Sequence, residues 1–381
     1  MMTRRIVLTG GGSGGHVYPL LAVAEALINL APKFQFSLEL FYIGPSGNHD
    51  NEIAQAGISP SFILASKWRR YFSIQNILDI PKFFLSIPQA FWKMFLIMPD
   101  IVFSKGGTSS IPVVLAARFF RIPVVIHESD SIPGINNLFA GKMARKIYLG
   151  FPRAKQYFNP QKTEVVGNPI RRKLLAQKVS KEEARQKLGI QQSELPVILV
   201  IGASQGSQNL NKIVLASLEF LLQKSHIIHQ TGKANYKQVA AIAERLLQGK
   251  SLPGTYRASP YFNEEELGTV LSAADLVISR ASAGAINEIA AFGCAALLIP
   301  LPTAAHDHQR VNAYDFAEET KGAAVLEEGN LTPTIFLNKI NELITNREQL
   351  ARWGMAASHF FHPEAAERIA QGILETLSHS S

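Results

Sequence analysis

A glycine-rich turn near the start of the chain, residues 9–19 (TGGGSGGHVYP), constrains the fold more than any other stretch. The apolar run before it, residues 6–8, predicts a buried strand, and the apolar segment 20–30 predicts a helix that Pro19 opens. Five glycines and one serine therefore connect a strand to a helix N-terminus. Because glycine lets the backbone approach a ligand closely and the amides of a helix start favour negative charge, the turn predicts an anion-binding loop.

His16 lies inside this turn, just before the predicted helix. The positive end of a helix dipole disfavours the imidazolium, so we expect a neutral ring at pH 7 that can accept a proton or a hydrogen bond. The same position also suits a residue that only caps the turn. Residue type and position leave both roles open.

The alternation of strands and helices starts twice along the chain. The predicted strands are 6–8, 38–43, 61–64, 101–103, 124–127, 146–149, 197–201, 226–230, 276–279, 296–299 and 323–325. A second glycine-rich turn, residues 202–207, follows the strand that opens the second series. We therefore expect an α/β protein with two Rossmann-like, doubly wound parallel-sheet domains that face a cleft. The turn signal at 167–169 sets the expected boundary, giving domains 1–166 and 167–362, with the final helix 363–378 packing back on the first.

Composition and charge limit the class of protein. One cysteine, Cys294, in 381 residues allows no disulfide framework, which suits a reducing compartment. We expect neither a signal peptide nor a membrane span, since no stretch has the ~18 uncharged apolar residues that a span requires. The net charge of +8 suits an anionic membrane surface or a phosphate-bearing substrate. No nucleic-acid motif accompanies it, so we expect no nucleic-acid partner.

The glycine spacing also matches a nicotinamide-dinucleotide fingerprint, through Gly10, Gly12 and Gly15. Such a site requires an acidic residue at the end of the second strand to bind the ribose hydroxyl. Here that strand ends in the residues YIGP (42–45), and Glu39 lies too early in it. The pattern therefore argues against a nicotinamide oxidoreductase.

Seven ordered segments together resemble the MurG family of glycosyltransferases. They are GGGSGGHVYP (10–19), KGGTSS (105–110), HESDSIPG (127–134), GNPIR (167–171), GASQGSQNLN (202–211), RASAGAINEIAAFG (280–293) and HDHQRVNA (306–313). The resemblance implies an inverting GT-B enzyme that transfers N-acetylglucosamine from UDP-GlcNAc to undecaprenyl-pyrophosphoryl-MurNAc-pentapeptide (lipid I). The product would be lipid II, the peptidoglycan precursor. It also implies a peripheral protein on the cytoplasmic face of the bacterial plasma membrane, alongside cell-wall synthesis and division proteins.

The resemblance also implies which residues contact UDP-GlcNAc. They are Ser13, Gly14, Gly15, Asp130, Arg171, Ser204, Phe262, Ala283, Gly284, Ala285, Ile286, Asn287, Glu288 and Gln309. Among them, Glu288 would bind the ribose, Gln309 the sugar hydroxyls, and the Phe262 backbone the uracil. Small residues at a helix start, as at 283–285, suit a diphosphate.

We expect neither a metal nor another cofactor. Arg171 beside the diphosphate would offset the charge of the leaving group, which is the role of a metal in other transferases. No Asp-x-Asp motif follows a strand. The group formed by His306, Asp307 and His308 has a metal-like spacing, but the resemblance accounts for that segment without a metal.

Transfer to a sugar hydroxyl requires a general base. His16 is the first candidate and Glu128 the second. Asp130 stands where many members of the family have asparagine. An ionised carboxylate accepts hydrogen bonds and cannot donate them, so its contact with the sugar must differ from that of an amide.

The segment 67–99 combines basic and aromatic residues, the former being Lys67, Arg69, Arg70, Lys82 and Lys93. Basic residues among interfacial aromatics predict contact with an anionic membrane surface, although the apolar half also suits packing beneath the first sheet. Three alternatives to transfer onto lipid I stay open: a UDP-GlcNAc 2-epimerase, a transferase acting on another lipid-linked sugar, and a non-enzymatic nucleotide-sugar-binding scaffold. An epimerase would act on UDP-GlcNAc without an acceptor.

Overall fold

The chain forms two units, each built around one parallel β-sheet. The structure is a computed structural model that describes residues 2–64, 74–190, 193–202, 206–304 and 307–379. The first unit comprises Met1–Arg171 and His362–Ser381, and the second comprises Arg172–Phe361. Residues 167–171 (GNPIR) therefore belong to the first unit.

The first unit has a seven-stranded sheet in the order β3-β2-β1-β4-β5-β6-β7. Its strands are β1 (Met2–Thr9), β2 (Phe36–Gly44), β3 (Ser59–Phe62), β4 (Ile101–Ser104), β5 (Val124–Glu128), β6 (Lys146–Leu149) and β7 (Thr163–Val165). All neighbouring strands pair in parallel. The strand order reverses between β1 and β4, and ligands of such sheets bind beyond the carboxyl ends of the strands at that point.

In the described part of the first unit there are six α-helices. They are α1 (Gly14–Leu30), α2 (Asp50–Gln55), α3 (Ile74–Ile97), α4 (Ile111–Phe119), α5 (Ile135–Met143) and, from the end of the chain, α15 (Ala365–Ser378). One hydrophobic core joins the sheet to α1 and α15, and another joins its other face to α3 and α4. Arg4 ties β1 to the chain end, since its guanidinium donates to Asp100 (3.0 Å) and to the Leu377 carbonyl (3.4 Å).

The second unit has a six-stranded sheet in the order β10-β9-β8-β11-β12-β13, again with all pairs parallel. Its strands are β8 (Val197–Ile201), β9 (His226–Gln230), β10 (Tyr256–Ser259), β11 (Leu276–Ser279), β12 (Ala295–Leu298) and β13 (Ala323–Val325). Its helices are α6 (Arg172–Leu175), α7 (Lys181–Lys187), α8 (Gln208–Leu222), α9 (Tyr236–Leu247), α10 (Glu264–Ala273), α11 (Ala283–Phe292), α12 (His308–Thr320), α13 (Pro333–Thr345) and α14 (Arg347–Ser358). The order reverses between β8 and β11.

The predicted α/β class with two parallel-sheet, Rossmann-like domains is confirmed. The edge strands β7 and β10 escaped prediction because they are short and only partly buried, and so lack an apolar run. The predicted start of the first helix was wrong. Helix α1 begins at Gly14, so Pro19 lies inside it rather than at its first position. The proline gives up one backbone hydrogen bond there, and His16 becomes the third helical residue.

One helical stretch in the described residues, Gly14–Phe34, is long and apolar enough by length and composition to cross a membrane. The stretch contains Glu25 and Lys33, so it is not a run of about 18 uncharged apolar residues. Helix α1, which forms most of it, contributes Leu20, Val23 and Leu27 to the core of the first unit. A buried core helix passes the same test of length and composition.

Candidate active site

The carboxyl ends of β1, β4 and β5 lie side by side in the first unit. The glycine-rich loop follows β1, Lys105 follows β4, and Glu128 ends β5. The Lys105 amide donates to the Thr9 carbonyl at 2.8 Å, which fixes the first two loops against each other. Residues 90 to 120 positions apart in sequence are therefore neighbours at one edge of the sheet.

His16 is held by backbone atoms from two loops. Its amide donates to the Ser13 carbonyl (2.9 Å), and its Nδ1 lies 3.3 Å from the Lys105 carbonyl. With that nitrogen protonated as the donor, Nε2 is an acceptor. A Cβ on Gly11 would lie 2.8 Å from His16 Cδ2, and one on Gly107 would lie 3.7 Å from Cε1. The imidazole therefore fits against Gly11 because that residue has no Cβ, whereas a Cβ on Gly107 would only be in ordinary contact with the ring.

The environment keeps the His16 ring neutral. Burial and, next, the positive charge of Lys105 lower the pKa of the imidazole from 6.5 to about 4, while Asp130 opposes the shift. At neutral pH the ring is therefore a hydrogen-bond acceptor that can take a proton.

Glu128 is buried and holds its own loop. One carboxylate oxygen accepts from the Asp130 amide (2.9 Å), and the other accepts from the Gly134 amide (3.2 Å) and from Asn137 Nδ2 (2.9 Å). Burial and the charge of Asp130 raise the pKa of this carboxyl, and Lys105 opposes them. The carboxylate therefore fixes the backbone of the loop that joins β5 to α5.

Lys105 is the charged residue at the centre of this edge, and its side chain is only 3% exposed. Its Nζ donates to Ser129 Oγ. Burial lowers the pKa of the ammonium, and Glu128 and Asp130 oppose that shift. Lys105 was not among the predicted site residues, although a lysine directly after a buried strand is a visible signal.

Arg171 lies on the first unit, beside the start of α1. Its guanidinium carbon is 3.7 Å from the centre of the Tyr18 ring, and the His49 ring also contacts Tyr18, at 5.1 Å between centroids. His127 Nε2 lies 3.0 Å from the Gly167 carbonyl and so fastens the GNPIR segment to β5. This hydrogen bond brings Arg171 to the helix whose first residues are Gly14 and Gly15.

The second unit carries another helix start at the carboxyl edge of its sheet. Ser282 caps α11, since its Oγ accepts from the Ala285 amide at 3.3 Å. Gly284 is exposed, and a Cβ there would have no atom within 4 Å. Ile286 and Asn287 are buried, and Asn287 Nδ2 donates to the Ala283 carbonyl at 2.9 Å. The first-turn amides therefore offer an anion site, while Ile286 and Asn287 anchor the helix behind it.

The remaining predicted donor contacts of the second unit lie in α11, in α12 and in the segment before α10. Gln309, in α12, accepts from the Leu301 amide at 3.0 Å. The Phe262 amide donates to Gln230 Oε1 at 3.2 Å, and the Phe262 ring is buried. Glu288 is half-buried, one turn into α11. Ser204 lies outside the described residues, as do His306, Lys67, Arg69 and Arg70.

Arg280 is a second charged residue that the sequence analysis left without a role. It is 3% exposed and pairs with Glu328, with 2.8 Å between Nη2 and Oε1. The same nitrogen donates to Ser207 Oγ at 2.5 Å, and Ser207 caps α8. The guanidinium therefore fixes the end of the second glycine-rich turn. Among the described residues there is no group of three His, Cys, Asp or Glu that could hold a metal ion.

Two parallel sheets, each with a helix that starts at its carboxyl edge, suit a nucleotide-sugar enzyme, and the comparisons show that its class is the family 28 glycosyltransferases. Residues 6–149 match the Glycosyltransferase family 28 N-terminal domain, and residues 197–369 match the Glycosyltransferase family 28 C-terminal domain. The crystal structure of MurG from Acinetobacter baumannii superposes with a TM-score of 0.75 at 26% identity, covering 98% of this chain and 99% of that one.

Curated relatives identify the particular family of transferases within this class. The UDP-N-acetylglucosamine--N-acetylmuramyl-(pentapeptide) pyrophosphoryl-undecaprenol N-acetylglucosamine transferase of Thermodesulfovibrio yellowstonii is 33% identical over 98% of each chain. The enzyme of the same name from Clostridium tetani is 36% identical over 91% of this chain and 92% of its own. This chain belongs to that family of N-acetylglucosaminyltransferases, the MurG family. A UDP-GlcNAc 2-epimerase from Neisseria meningitidis, at 14% identity and a TM-score of 0.64, shares the fold.

Proposed function

We propose that this protein transfers N-acetylglucosamine from UDP-GlcNAc to lipid I, with inversion at the anomeric carbon, to give lipid II for peptidoglycan synthesis. The observation that carries the proposal is similarity to enzymes named for this transfer at 32% to 37% identity over 90% or more of the chain. The epimerase alternative is not favoured, because the epimerases that share the fold are only 12% to 14% identical.

The second unit is proposed to hold the UDP-sugar. The first-turn amides of α11, at Ala283 and Gly284, suit the diphosphate, and the Glu288 carboxylate one turn later suits the ribose hydroxyls. Gln309 and the backbone at Phe262 are proposed to contact the sugar and the uracil. Ala285, Ile286 and Asn287 complete the proposed nucleotide segment, in which Ile286 and Asn287 act by packing.

The first unit is proposed to carry the base, and the geometry favours His16 over Glu128. The Nδ1 of His16 faces a carbonyl, which leaves Nε2 as an acceptor, whereas both Glu128 oxygens already accept N–H bonds. Nε2 would remove the proton of the acceptor hydroxyl as its oxygen attacks the anomeric carbon. The bond from that carbon to the diphosphate breaks, and UDP leaves with the electron pair.

The loop that holds His16 is proposed to bind anionic substrate groups as well. Ser13, Gly14 and Gly15 form the start of α1, where amides and the helix dipole favour negative charge. Arg171 lies over Tyr18 on the same helix and adds a cation. Asp130 stands on the loop that Glu128 fixes, where it is proposed to contact a sugar or N-acetyl group.

The test uses purified protein, lipid I and labelled UDP-GlcNAc, and follows label into the lipid fraction. We expect lipid-borne label with the wild type, and with His16→Ala a kcat lower by about 10²-fold or more. UDP binding, measured by calorimetry, should be unchanged in the variant. Conversion of UDP-GlcNAc to its 2-epimer without acceptor, and no label in lipid, would overturn the proposed reaction. Wild-type turnover by His16→Ala would overturn only the assignment of the base.

We also propose that α3 and the end of α4 contact an anionic membrane surface. Helix α3 buries Ala90 and Met94 and exposes the opposite side, with Phe84 64% and Trp92 63% exposed. Phe119, at the end of α4, is 69% exposed and adjoins that side. Such a surface suits the interfacial region of a bilayer, where aromatic rings are buried among headgroups.

Two of the five basic residues expected at this surface are described. Lys82 pairs with Asp79 (3.1 Å) and Lys93 donates to Ser61 (2.9 Å), so both are engaged within the protein. Arg118 and Arg121 flank Phe119 and are exposed. They are proposed to add to the attraction to anionic lipid expected from Lys67, Arg69 and Arg70, which lie outside the described residues.

Sedimentation with phosphatidylglycerol vesicles tests this surface. The double variant Trp92→Ser, Phe95→Ser should bind the vesicles roughly tenfold more weakly or worse. The reason is that each substitution removes apolar ring surface that would be buried in the bilayer interface. Phe220→Ser is the matched control, because Phe220 is 68% exposed in the second unit. Equal binding by the double variant and the wild type would exclude this surface.

A further inference from the structure

A buried ion pair lies at the carboxyl edge of the second sheet, and no role proposed above uses it. Arg280 Nη2 and Glu328 Oε1 are 2.8 Å apart, and the two side chains are only 4% and 9% exposed. Enclosing two charges costs solvation free energy that their attraction offsets only with good geometry, and apolar side chains of similar volume are often at least as stabilising. Stability alone is therefore a poor explanation for the pair.

The guanidinium of Arg280 joins the loops that follow four neighbouring strands. Arg280 itself directly follows β11. Its Nη2 donates to Ser207 Oγ (2.5 Å), in the loop after β8, and to Glu328, in the loop after β13. Its Nη1 donates to the carbonyls of Ile299 (3.1 Å) and Pro300 (3.4 Å), directly after β12. Because β8, β11, β12 and β13 are consecutive in the sheet, one side chain fixes the spacing of four adjacent loops.

The hydrogen bonding of the guanidinium shows how it acts. Its two Nη nitrogens carry four N–H groups, and four acceptors face them. The side chain is also enclosed by the protein. Arg280 is therefore suited to hold loops in place rather than to bind a phosphate group itself, and Glu328 compensates its charge and orients its Nη2 edge.

Two of the joined loops carry residues proposed above to bind the UDP-sugar, and a third ends the second glycine-rich turn. Arg280 stands two residues before Ser282, which caps α11. The loop after β12 contains Leu301, whose amide donates to Gln309 at 3.0 Å. Ser207 is the last residue of the glycine-rich turn and caps α8. The guanidinium thus lies behind the segments that would surround the nucleotide.

We propose that Arg280 and Glu328 are positioning residues for UDP-sugar binding. The carboxylate holds the guanidinium, and the guanidinium holds the loops after β8, β11 and β12 at the spacing that the ligand requires. The inference rests on the proposed function, in which the second unit binds the donor. Because neither side chain acts by touching the ligand, loss of the pair should weaken UDP binding even where the protein regains its stability.

The experiment measures the Kd of UDP by calorimetry and the Tm of the full chain. Glu328→Leu leaves the guanidinium buried without its counter-charge, so the Tm should fall by roughly 6–20 °C and the Kd should rise about tenfold or more. The double variant Arg280→Met, Glu328→Leu buries no charge, so its Tm should recover at least about half of that fall. Its Kd should stay about tenfold or more above the wild-type value, because the four N–H bonds to the loops are lost.

Ser207→Ala tests the contact with the glycine-rich turn while it keeps the ion pair. The variant removes one of the four hydrogen bonds and the cap of α8, so the Kd should rise about threefold or more while the Tm falls by only about 2–4 °C. Should Glu328→Leu fail to fold, the double variant and Ser207→Ala decide the question.

Arg185→Met is the matched control. Arg185 Nη2 pairs with Asp275 Oδ2 at 2.5 Å, and Asp275 directly precedes β11, at the amino edge of the same sheet. Loss of this pair should lower the Tm, whereas the Kd of UDP should stay within about twofold of the wild-type value, because the pair is remote from the carboxyl edge.

The outcome for the double variant separates positioning from stability. A Kd that recovers together with the Tm would overturn the inference, because the pair would then serve stability alone. A wild type that binds no UDP would contradict the proposed donor site and, with it, this inference. A wild type that binds UDP and labels lipid I, with variants that all keep the wild-type Kd, would contradict the inference alone.

Discussion

Protonation of His16 links the electrostatics of the site to the stability of the first unit. The pKa of the imidazole falls from 6.5 to about 4, chiefly through burial. Because the folded pKa is the lower one, the unfolded chain binds more protons between about pH 4 and 6.5. The unfolding free energy therefore rises with pH in that window. The stability that the neutral His16 ring preserves is fully present above its unfolded pKa of 6.5. It is lost as the pH falls through the folded pKa of about 4.

His16→Gln removes the titrating ring and keeps an N–H donor for the Lys105 carbonyl. The interval from 6.5 to about 4 corresponds to a limit of about 3.5 kcal/mol of unfolding free energy, at about 1.4 kcal/mol for each pH unit, and most of it is lost by pH 4. Between pH 6.5 and 4, the wild type should therefore lose up to about 3 kcal/mol more stability than the variant. Other histidines titrate in both proteins and cancel in the difference.

Urea unfolding followed by tryptophan fluorescence measures this difference. The chain has three tryptophans, and Trp353 is the one in the second unit, so a Trp353→Phe background makes the signal report the first unit. NMR titration of the His16 ring gives its folded pKa directly. A ring that titrates near 6.5, or equal losses of stability in wild type and His16→Gln, would refute the reasoning.

Two further predictions follow from close backbone approaches. Gly11→Ala would place a Cβ 2.8 Å from His16 Cδ2, and the displaced ring should lower kcat by about tenfold to 10²-fold. The control Gly329→Ala should leave kcat unchanged, because its Cβ would meet no atom within 4 Å. Equal steady-state rates for the two variants would contradict the prediction. Gly372→Ala would place a Cβ 1.7 Å from the Tyr148 hydroxyl and should lower the unfolding free energy by roughly 1–3 kcal/mol. Adding Tyr148→Phe should restore much of that loss in thermal unfolding, and an unrescued double variant would show that the clash is not the cause.

The fold class was readable from the sequence because its signals are local. Strands 146–149, 197–201, 226–230 and 276–279 were predicted at their observed bounds, since buried parallel strands are continuous apolar runs. The seven ordered motifs were likewise sufficient to identify the family. Boundaries were less secure where the local signal misleads, as at Pro19, which is typical of a helix start and yet lies inside α1.

The candidate site depended on contacts between residues far apart in the chain. The sequence by itself determined two glycine-rich turns, a histidine in the first, and a family with a known reaction. Only the tertiary structure showed that Glu128 holds a loop through Asn137, that Lys105 is enclosed beside His16, and that Arg280 pairs with Glu328. The physical reason is that burial, charge and hydrogen bonding depend on distance in space, and parallel strands bring their carboxyl ends together from segments that no local pattern connects.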